Sequence, residues 1–283
     1  MSDYQYIRYE QEGRVARLVL NRPQYRNAQS RRLLEELDHA FQRGANDDGV
    51  GVMVLTGEGD HFSSGHDLGT PEEMADRQAR PYAEGVRGRY QRMWDLYIDF
   101  GLRWRNIPKP TVAAVQGYCI YGGWMIVAAC DVIYAAADAL FLPSDFQYFS
   151  VPWDINPRKA KAVLYEGRFL NAQEAQEFGF VEDVFPRERL LPEVMAYAAR
   201  VAENDPFQLR MIKTAVNQAL DAQGYSQHIV GSVAHYMLSV LGESDPGFSL
   251  QKPGVRRRPM VQKALENYER RKGQQGSGSH HAP

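Results

Sequence analysis

Two glycine-bearing turns are the places in this sequence where backbone groups could do chemistry. One is FSSGHDL, which follows the apolar run GVGVMVLTG, and the other is YGG, which follows TVAAVQG. Glycine has no Cβ, so a backbone N–H beside it can approach a ligand closely. If both runs are parallel strands, their carboxyl ends lie at the sheet edge where open α/β sheets bind ligands. One N–H from each turn would then converge on a single oxygen, at roughly 3–4 kcal/mol of oxyanion stabilisation per donor.

The composition is that of a globular protein with a sizeable core. The chain has 283 residues, is 44% hydrophobic and carries a formal charge of −2 from 33 basic and 35 acidic residues. This balance gives no basic field for nucleic acid and no polybasic segment for a lipid surface. Cys119 and Cys130 are too few for a disulfide framework or a zinc site, which favours a reduced, cytoplasmic protein. The N-terminus lacks a signal pattern, and no uncharged apolar run reaches ~18 residues, so no membrane span is expected.

The hydrophobic patterns predict an α/β first part and a helical C-terminal part. Apolar or alternating runs predict strands at YQYIRYEQ, GRVARLVLN, GVGVMVLTG, TVAAVQG and DVIYAAA. A helix is predicted through RRLLEELDHAFQRGA, capped by Asn27 or Ser30. Strand–helix–strand order with short links implies parallel strands covered by helices. After residue 157 the predicted elements are helices, near 158–166, 171–178, 188–204, 207–222, 225–241 and 260–271.

Five ordered blocks of the sequence resemble the crotonase (enoyl-CoA hydratase/isomerase) superfamily. They are LNRPQYRNAQS, VMVLTGEGDHFSSGHDL, IPKPTVAAVQGYCIYGGWMIVAACDVIYAAADALF, FLNAQEAQEFGFVEDVFP and DPFQLRMIKTAVNQAL. The resemblance covers nearly the full length and implies an α/β fold, a ββα-spiral, over residues 1–200. It also implies a C-terminal helical region at 201–272 that packs homotrimers or homohexamers. The polar segment 273–283 is expected to be a disordered tail.

The resemblance implies which residues would hold a substrate, which is expected to be an acyl-CoA thioester. The two oxyanion-hole donors fall at the backbone N–H groups of His66 and Gly122. The CoA arm would lie along Arg22, Arg26, Ala28 and Ser64, and the substrate pocket would include Tyr121, Met125 and Trp153. Coenzyme A as part of the substrate is the only cofactor implied, and no metal is expected.

The sequence departs from the hydratases of this superfamily at both acid–base positions. Those enzymes carry one glutamate after the glycine run and a second in a Pro-Glu pair further on, and the two share the proton transfers. Here Met125 occupies the first position, and methionine cannot transfer a proton. Asp145 occupies the second, with Pro143 two residues upstream and a side chain one methylene shorter. A two-glutamate mechanism therefore does not fit this chain.

Asp154 is a second candidate carboxylate. It lies in SVPWDINP, a segment shorter than the family's usual turn, and the shortening would bring it toward the site. Two carboxyl groups in an apolar pocket can have separated pKa values, so that Asp145 and Asp154 would serve as acid and base. A turn or capping role stays open for each of them. Residues 68–106 form a longer segment than the superfamily carries, and we expect this helical insertion to cover the acyl pocket.

The leading prediction from the sequence is an enzyme that stabilises a thioester enolate, nominally an enoyl-CoA hydratase. Two other reactions stay open, because they use the same oxyanion hole with a carboxylate. One is the isomerisation of an enoyl- or dienoyl-CoA, and the other is C–C bond hydrolysis of a cyclic β-dicarbonyl. A non-catalytic acyl-CoA-binding protein is an alternative of a different class, and Met125 is the reason to consider it.

Overall fold

The computed structural model describes residues 4–242 and 259–277. Strands and helices alternate up to residue 142, and helices dominate from residue 151 onward. The strands are β1 Ile7–Glu12, β2 Val15–Leu20, β3 Val52–Gly57, β4 Thr111–Val115, β5 Tyr118–Ile120, β6 Val132–Ala136, β7 Leu140–Leu142, β8 Leu170–Asn171 and β9 Asp183–Phe185. The helices are α1 Arg31–Asn46, α2 Pro71–Ala79, α3 Gly85–Met93, α4 Phe100–Arg105, α5 Gly122–Ala128, α6 Val151–Asp154, α7 Pro157–Glu166, α8 Ala172–Glu177, α9 Arg187–Ala202, α10 Pro206–Ala222, α11 Tyr225–Leu241 and α12 Pro259–Ser277. This succession confirms the predicted α/β part followed by a helical C-terminal part.

Six strands form the main sheet, in the order β1-β2-β3-β4-β6-β9. The β1–β2 pair is antiparallel, and every later pair in this sheet is parallel. All six residues of β3 are buried, as the continuous apolar run predicted for a strand covered on both faces. The carboxyl ends of β3 and β4 therefore lie at the same edge of the sheet, next to each other.

A second, three-stranded sheet has the order β5-β7-β8 and was not predicted. Gly117 has φ +55 and bends the chain from β4 into β5; a Cβ there would overlap the backbone oxygen of Asp60. The strands of this sheet have only two or three residues each. Such short runs show no resolvable alternation of apolar and polar residues, which is why the sequence pattern did not predict them.

Helix α1 illustrates how local sequence positions the first layer. The Ser30 hydroxyl accepts a hydrogen bond from the Leu33 N–H at 3.2 Å, so Ser30 rather than Asn27 is the N-cap. Five buried apolar residues form one face of the helix: Leu33, Leu34, Leu37, Ala40 and Phe41. That face packs against β1 and β2 and becomes part of the central core.

The 68–106 insertion contains α2, α3, a π-helical segment at Trp94–Asp99 and α4. Glu73 of α2, whose side chain is fully buried, ties the insertion to the core. Its carboxylate accepts hydrogen bonds from Arg77 at 2.7 Å, from Arg92 at 2.9 Å and from the backbone N–H of Arg31 at 2.9 Å. A buried carboxylate with two cationic partners and a backbone donor is satisfied, so it anchors α2 and α3 on α1.

The C-terminal helices pack back onto the α/β part. Arg105 pairs with Asp221 of α10 at 3.2 Å, and Lys213 of the same helix pairs with Asp131 at 2.9 Å. Helix α12 packs against the second sheet and its Asn267 donates to the carbonyl of Glu166. It continues through Ser277, while residues 278–283, the end of the predicted tail, lie outside the described residues. None of the helices in the described part of the chain is both long enough and apolar enough to span a membrane.

Candidate active site

The turns that follow β3 and β5 are in direct contact. Ser63 pairs with Cys119 in a parallel bridge: its N–H donates to the carbonyl of Tyr118 at 2.9 Å, and its carbonyl accepts from Ile120 at 3.0 Å. Gly65 has φ +85, and a Cβ on it would lie 2.7 Å from the carbonyl oxygen of Ile120 and 3.5 Å from the backbone nitrogen of Gly122. The sequence prediction that the two glycine turns are neighbours is therefore confirmed.

Gly122 is the first residue of α5, so its N–H has no acceptor within the helix. The preceding residue, Tyr121, has φ +44 and ψ −97, a conformation that a non-glycine residue adopts only when its surroundings impose it. The imposing contact is backbone pairing with the second sheet, because the Tyr121 N–H donates to the carbonyl of Leu142 at 2.8 Å. The strained residue turns the chain from β5 directly into α5 and brings the Gly122 N–H to the turn.

His66 lies on the other turn, where β-type pairing with Gln29 holds its backbone. Gln29 donates to the carbonyl of Gly65 at 2.8 Å and accepts from the N–H of Asp67 at 2.9 Å. The imidazole Nε2 lies 2.9 Å from Gln147 Oε1, and the ring centroid is 4.2 Å from that of Tyr97. A Cβ on Gly122 would lie 2.8 Å from the same imidazole. The His66 side chain thus packs over the start of α5, under Tyr97 of the insertion.

Asp145 follows β7 in the loop between β7 and α6. Asp145 is exposed as a residue, but protein atoms surround its carboxyl group, and this desolvation raises the pKa of the carboxyl above the ordinary value of 3.8. Burial, with a smaller contribution from the charge of Asp145, raises the pKa of Tyr121 to about 12. Within the described residues, no protein group donates a hydrogen bond to the Asp145 carboxylate. The charge of Asp145 thus lies close enough to Tyr121 to affect the pKa of its hydroxyl.

Asp154 lies at the end of α6 and faces the protein interior. Its Oδ2 accepts hydrogen bonds from Trp124 Nε1 at 2.7 Å and from the Ser150 hydroxyl at 2.6 Å. Burial raises the pKa of the Asp154 carboxyl to about 6, and the two donors lower it by less. Protein donors thus engage Oδ2 of Asp154, and the assignment of this residue as an acid or base on substrate stays a prediction.

The three predicted pocket residues have different positions. Tyr121 lies at the turn itself, half-buried. Met125 is buried in the central core, one helical turn after Tyr121, and presents no ionisable group there. Trp153 faces away from the turns: its Nε1 donates to Nδ1 of His228 on α11 at 2.9 Å, and its ring meets Tyr225 edge to face. The structure does not bring Trp153 to the site.

The four residues predicted along the CoA arm differ in their exposure to solvent. Arg22 is fully buried; its guanidinium donates to Asp67 at 2.9 Å, to the carbonyl of Ala28 at 2.6 Å and to Thr70 at 3.1 Å. A guanidinium with these partners holds the loop together and has no surface for a phosphate. Arg26 is exposed, Ser64 is half-buried and Ala28 is buried, so Arg26 is the one cation of the set that faces solvent.

Three side-chain contacts at the site were not predicted from the sequence. Gln147 contacts His66, Gln29 packs against Gly122, and Trp124 bonds to Asp154. Trp124 directly follows Gly122-Gly123, so the sequence indicated that it lies near the site. Nothing in the sequence indicated which residue accepts its indole N–H. No local pattern marks the two glutamines, because their roles depend on loops that meet only in the fold. Across the described ranges, no three His, Cys, Asp or Glu side chains form a cluster that could hold a metal ion.

Fold and site together define an α/β protein in which paired backbone turns adjoin a loop that carries a carboxylate. A family model described as enoyl-CoA hydratase/isomerase matches residues 10–238. The chain therefore belongs to the enoyl-CoA hydratase/isomerase family, which confirms the crotonase resemblance.

Relatives with known names or structures support the same assignment. A Mycobacterium tuberculosis protein whose name assigns it as an enoyl-CoA hydratase, EchA13, is 35% identical over 258 residues, covering 84% of this chain and 81% of that protein. A solved Mycobacterium smegmatis structure named as an enoyl-CoA hydratase is 39% identical, with a TM-score of 0.76 over 84% of this chain and 98% of its own. One from Mycobacterium thermoresistibile with the same kind of name is 41% identical, with a TM-score of 0.75 and the same coverage.

The contact between the turns predicts an unequal cost for two glycine substitutions. Gly65→Ala and Gly167→Ala each force a side chain into a positive φ, which costs about 1–2 kcal/mol. Only at Gly65 does the new Cβ also overlap a backbone oxygen, whereas at Gly167 it meets nothing within 4 Å. We expect Gly65→Ala to lower the free energy of unfolding by a further ~1–3 kcal/mol. Denaturant unfolding of both variants measures the difference; equal losses would contradict the contact.

The raised pKa of Asp154 predicts a pH-dependent stability. The folded pKa of about 6 lies above the ordinary value of 3.8, so the folded state binds more protons between these values. The protonated carboxyl therefore adds about 3 kcal/mol to the free energy of unfolding below pH 4, relative to high pH. This stabilisation is lost as the pH rises through 6. Asp154→Asn removes the titration but keeps an oxygen acceptor. The stability of this variant relative to wild type should rise by that amount between pH 4 and 7 in denaturant unfolding, and a pH-independent difference would refute the assignment.

Proposed function

We propose that this protein binds an acyl-CoA thioester and polarises its carbonyl with the backbone N–H groups of His66 and Gly122. The observation that supports this most directly is the contact between the two glycine turns, with Gly65 packed against Ile120 and Gly122. Two N–H donors on one thioester oxygen would stabilise the negative charge of an enolate. The proposed chemistry needs no cofactor beyond the coenzyme A of the substrate.

Asp145 is the proposed acid–base group. Its charge acts on Tyr121, the residue before Gly122, and desolvation raises the pKa of its carboxyl above the ordinary value of 3.8. In the hydration of a 2-enoyl thioester, the carboxylate would take a proton from water as the oxygen bonds to Cβ. The same carboxyl would then return a proton to Cα as the enolate collapses, so water adds across the double bond without net proton release.

Isomerisation is the second candidate, and one observation favours it. Asp154 is engaged with Trp124 and Ser150, and Met125 occupies the other acid–base position, so Asp145 acts without a second carboxylate. A single carboxylate that removes a proton from one carbon of the acyl chain and returns it to another performs a double-bond shift. Hydration additionally requires a positioned water, for which a second acceptor is the usual support.

The same proposal includes self-assembly as a homotrimer or homohexamer. Helix α10 presents four exposed apolar side chains along one stretch, while its opposite side is tied to the core through Lys213 and Asp221. These side chains are Phe207, Met211, Ile212 and Val216, exposed by 68%, 41%, 54% and 57%. An exposed apolar helix face of this kind is typical of a protein–protein contact, and a second copy of the chain is the proposed occupant.

The catalytic proposal predicts a selective effect of Asp145→Asn. A panel of straight-chain and cyclic trans-2-enoyl-CoAs is followed by loss of the conjugated thioester absorbance, with product masses recorded. Wild type should turn over at least one substrate, and Asp145→Asn should lower kcat by roughly 10²–10⁴-fold with little change in thioester affinity. The control Asp48→Asn, at an exposed position, should retain full activity.

Product mass separates the candidate reactions, because hydration adds one water and isomerisation leaves the mass unchanged. Full activity of Asp145→Asn would remove Asp145 from the mechanism. Thioester binding by wild type without turnover of any panel member would instead establish a non-catalytic acyl-CoA-binding protein.

The assembly proposal predicts a mass change on disruption of the α10 face. Light scattering coupled to size exclusion should give three or six times the mass of the 32.2 kDa chain. Replacing Phe207 and Val216 together by aspartate introduces charge at the contact, so the mass should fall toward that of one chain. A matched double substitution of exposed Arg87 and Arg89 on α3 should leave it unchanged. A monomeric wild type would reject the proposal.

A further inference from the structure

Trp124 is the first side chain that can anchor α5. The helix has seven residues, and the two that precede Trp124 within it are Gly122 and Gly123, which have no side chains. So short a helix has little stability of its own, and its orientation depends on packing. The Tyr121–Leu142 bond fixes the chain on one side of Gly122, and the indole two residues later must hold it on the helical side.

Three groups hold that indole, which is completely buried. The ring stacks on Phe180 with centroids 3.7 Å apart and planes 3° from parallel. It also meets Phe141 edge to face at 6.3 Å. These contacts restrain the plane of the ring, while the hydrogen bond from Nε1 to Asp154 Oδ2 at 2.7 Å restrains its rotation within that plane.

Asp154 is itself oriented by the turn that precedes it. The Ser150 hydroxyl donates to the same Oδ2 at 2.6 Å, and the N–H groups of Trp153 and Asp154 both donate to the Ser150 carbonyl, at 2.7 and 3.1 Å. Among the described residues, no lysine or arginine forms an ion pair with Asp154. A desolvated carboxyl without a cation costs stability, and the same place filled by an apolar side chain would leave the indole N–H without an acceptor.

We propose that Asp154 is a positioning residue, which holds Trp124 and thereby the first turn of α5 with its Gly122 donor. The inference deepens the proposed function and rests on it, because the positioned group is the proposed oxyanion donor. It separates the two aspartates by role: Asp145 exchanges protons with the substrate, and Asp154 fixes the backbone that polarises the substrate's carbonyl.

The test uses a chromophoric substrate that reports polarisation directly. In 4-dimethylaminocinnamoyl-CoA the amino group donates electrons toward the thioester carbonyl, so hydrogen bonds to that oxygen shift the absorption to longer wavelength. The size of the red shift reports how strongly the protein's N–H groups bond to the thioester oxygen. Titration of the protein with the probe gives Kd. The wild type should bind the probe with a clear red shift.

Removal of the indole N–H should weaken the donors without removing the site. Trp124→Phe keeps an aromatic ring for the stack on Phe180 but cannot donate to Asp154. We expect a smaller red shift and about a tenfold lower kcat, with Kd and KM changed less than threefold. Asp154→Asn keeps an oxygen acceptor for the indole, so its red shift should be retained and its kcat should stay within about threefold of wild type. If Trp124→Phe does not fold, Asp154→Val removes the acceptor instead and should reproduce the smaller red shift.

A matched control distinguishes positioning from general destabilisation. Val194 of α9 is fully buried in a second apolar cluster with Val112 and Leu190, which contains no residue of the two turns or of the 68–106 insertion. Val194→Ala therefore leaves a small cavity in a different part of the core. It should lower the unfolding temperature but leave the red shift and kcat unchanged.

Each contrary result has a separate meaning. A wild type that binds no probe, or binds it without a red shift, overturns the proposed function and this inference with it. A red shift equal to that of wild type in folded Trp124→Phe and Asp154→Val overturns the positioning role alone. A loss of 10²-fold or more in kcat for Asp154→Asn, with the red shift intact, would make Asp154 an acid–base group and also overturn it.

Discussion

The contact between the turns after β3 and β5 is the constraint on which the rest of the candidate site depends. It leaves no room for a side chain at Gly65, because the carbonyl oxygen of Ile120 occupies that space. It also requires Tyr121 to adopt a positive φ, which the bond to Leu142 maintains. Both turns are thus placed by pairing between strands. A site made of backbone groups shares the rigidity of the sheets, and donors that need no reorganisation stabilise charge most effectively.

The groups capable of proton transfer are held in a different way. Asp145 lies in the loop between β7 and α6, in which Phe146 and Tyr148 both have positive φ. Contacts from outside hold the loop: Gln147 bonds to His66, and the carbonyl of Phe146 accepts from Ser232 of α11. Strained loop residues persist only when neighbouring structure imposes them. Helix α11 therefore helps to position the loop that carries the Asp145 carboxylate.

The sequence predicted the features that strands position and did not predict the contacts of loop and buried side chains. The runs that became β3 and β4 and the glycines after β3 and β5 carry local signals, so the fold and the adjoining turns were predictable. The partners of individual side chains were not. Arg22 was predicted to lie along the CoA arm, but its burial with Asp67 depends on a residue 45 positions away. Trp153 and Asp154 are adjacent, yet one faces α11 and the other faces Trp124, which only the short α6 turn determines.

The two aspartates show why residue type alone does not assign a role. Both have carboxyl groups whose pKa is raised by burial, so a titration argument would treat them alike. Their hydrogen bonds differ: Asp154 accepts from an indole and a hydroxyl, whereas no donor within the described ranges reaches Asp145. A proton acceptor must have a lone pair directed at the reacting atom, and protein donors already occupy Asp154 Oδ2. With Met125 in the place of the other carboxylate, the proposed reaction at this site has Asp145 as its proton carrier and the two backbone N–H groups as its source of charge stabilisation.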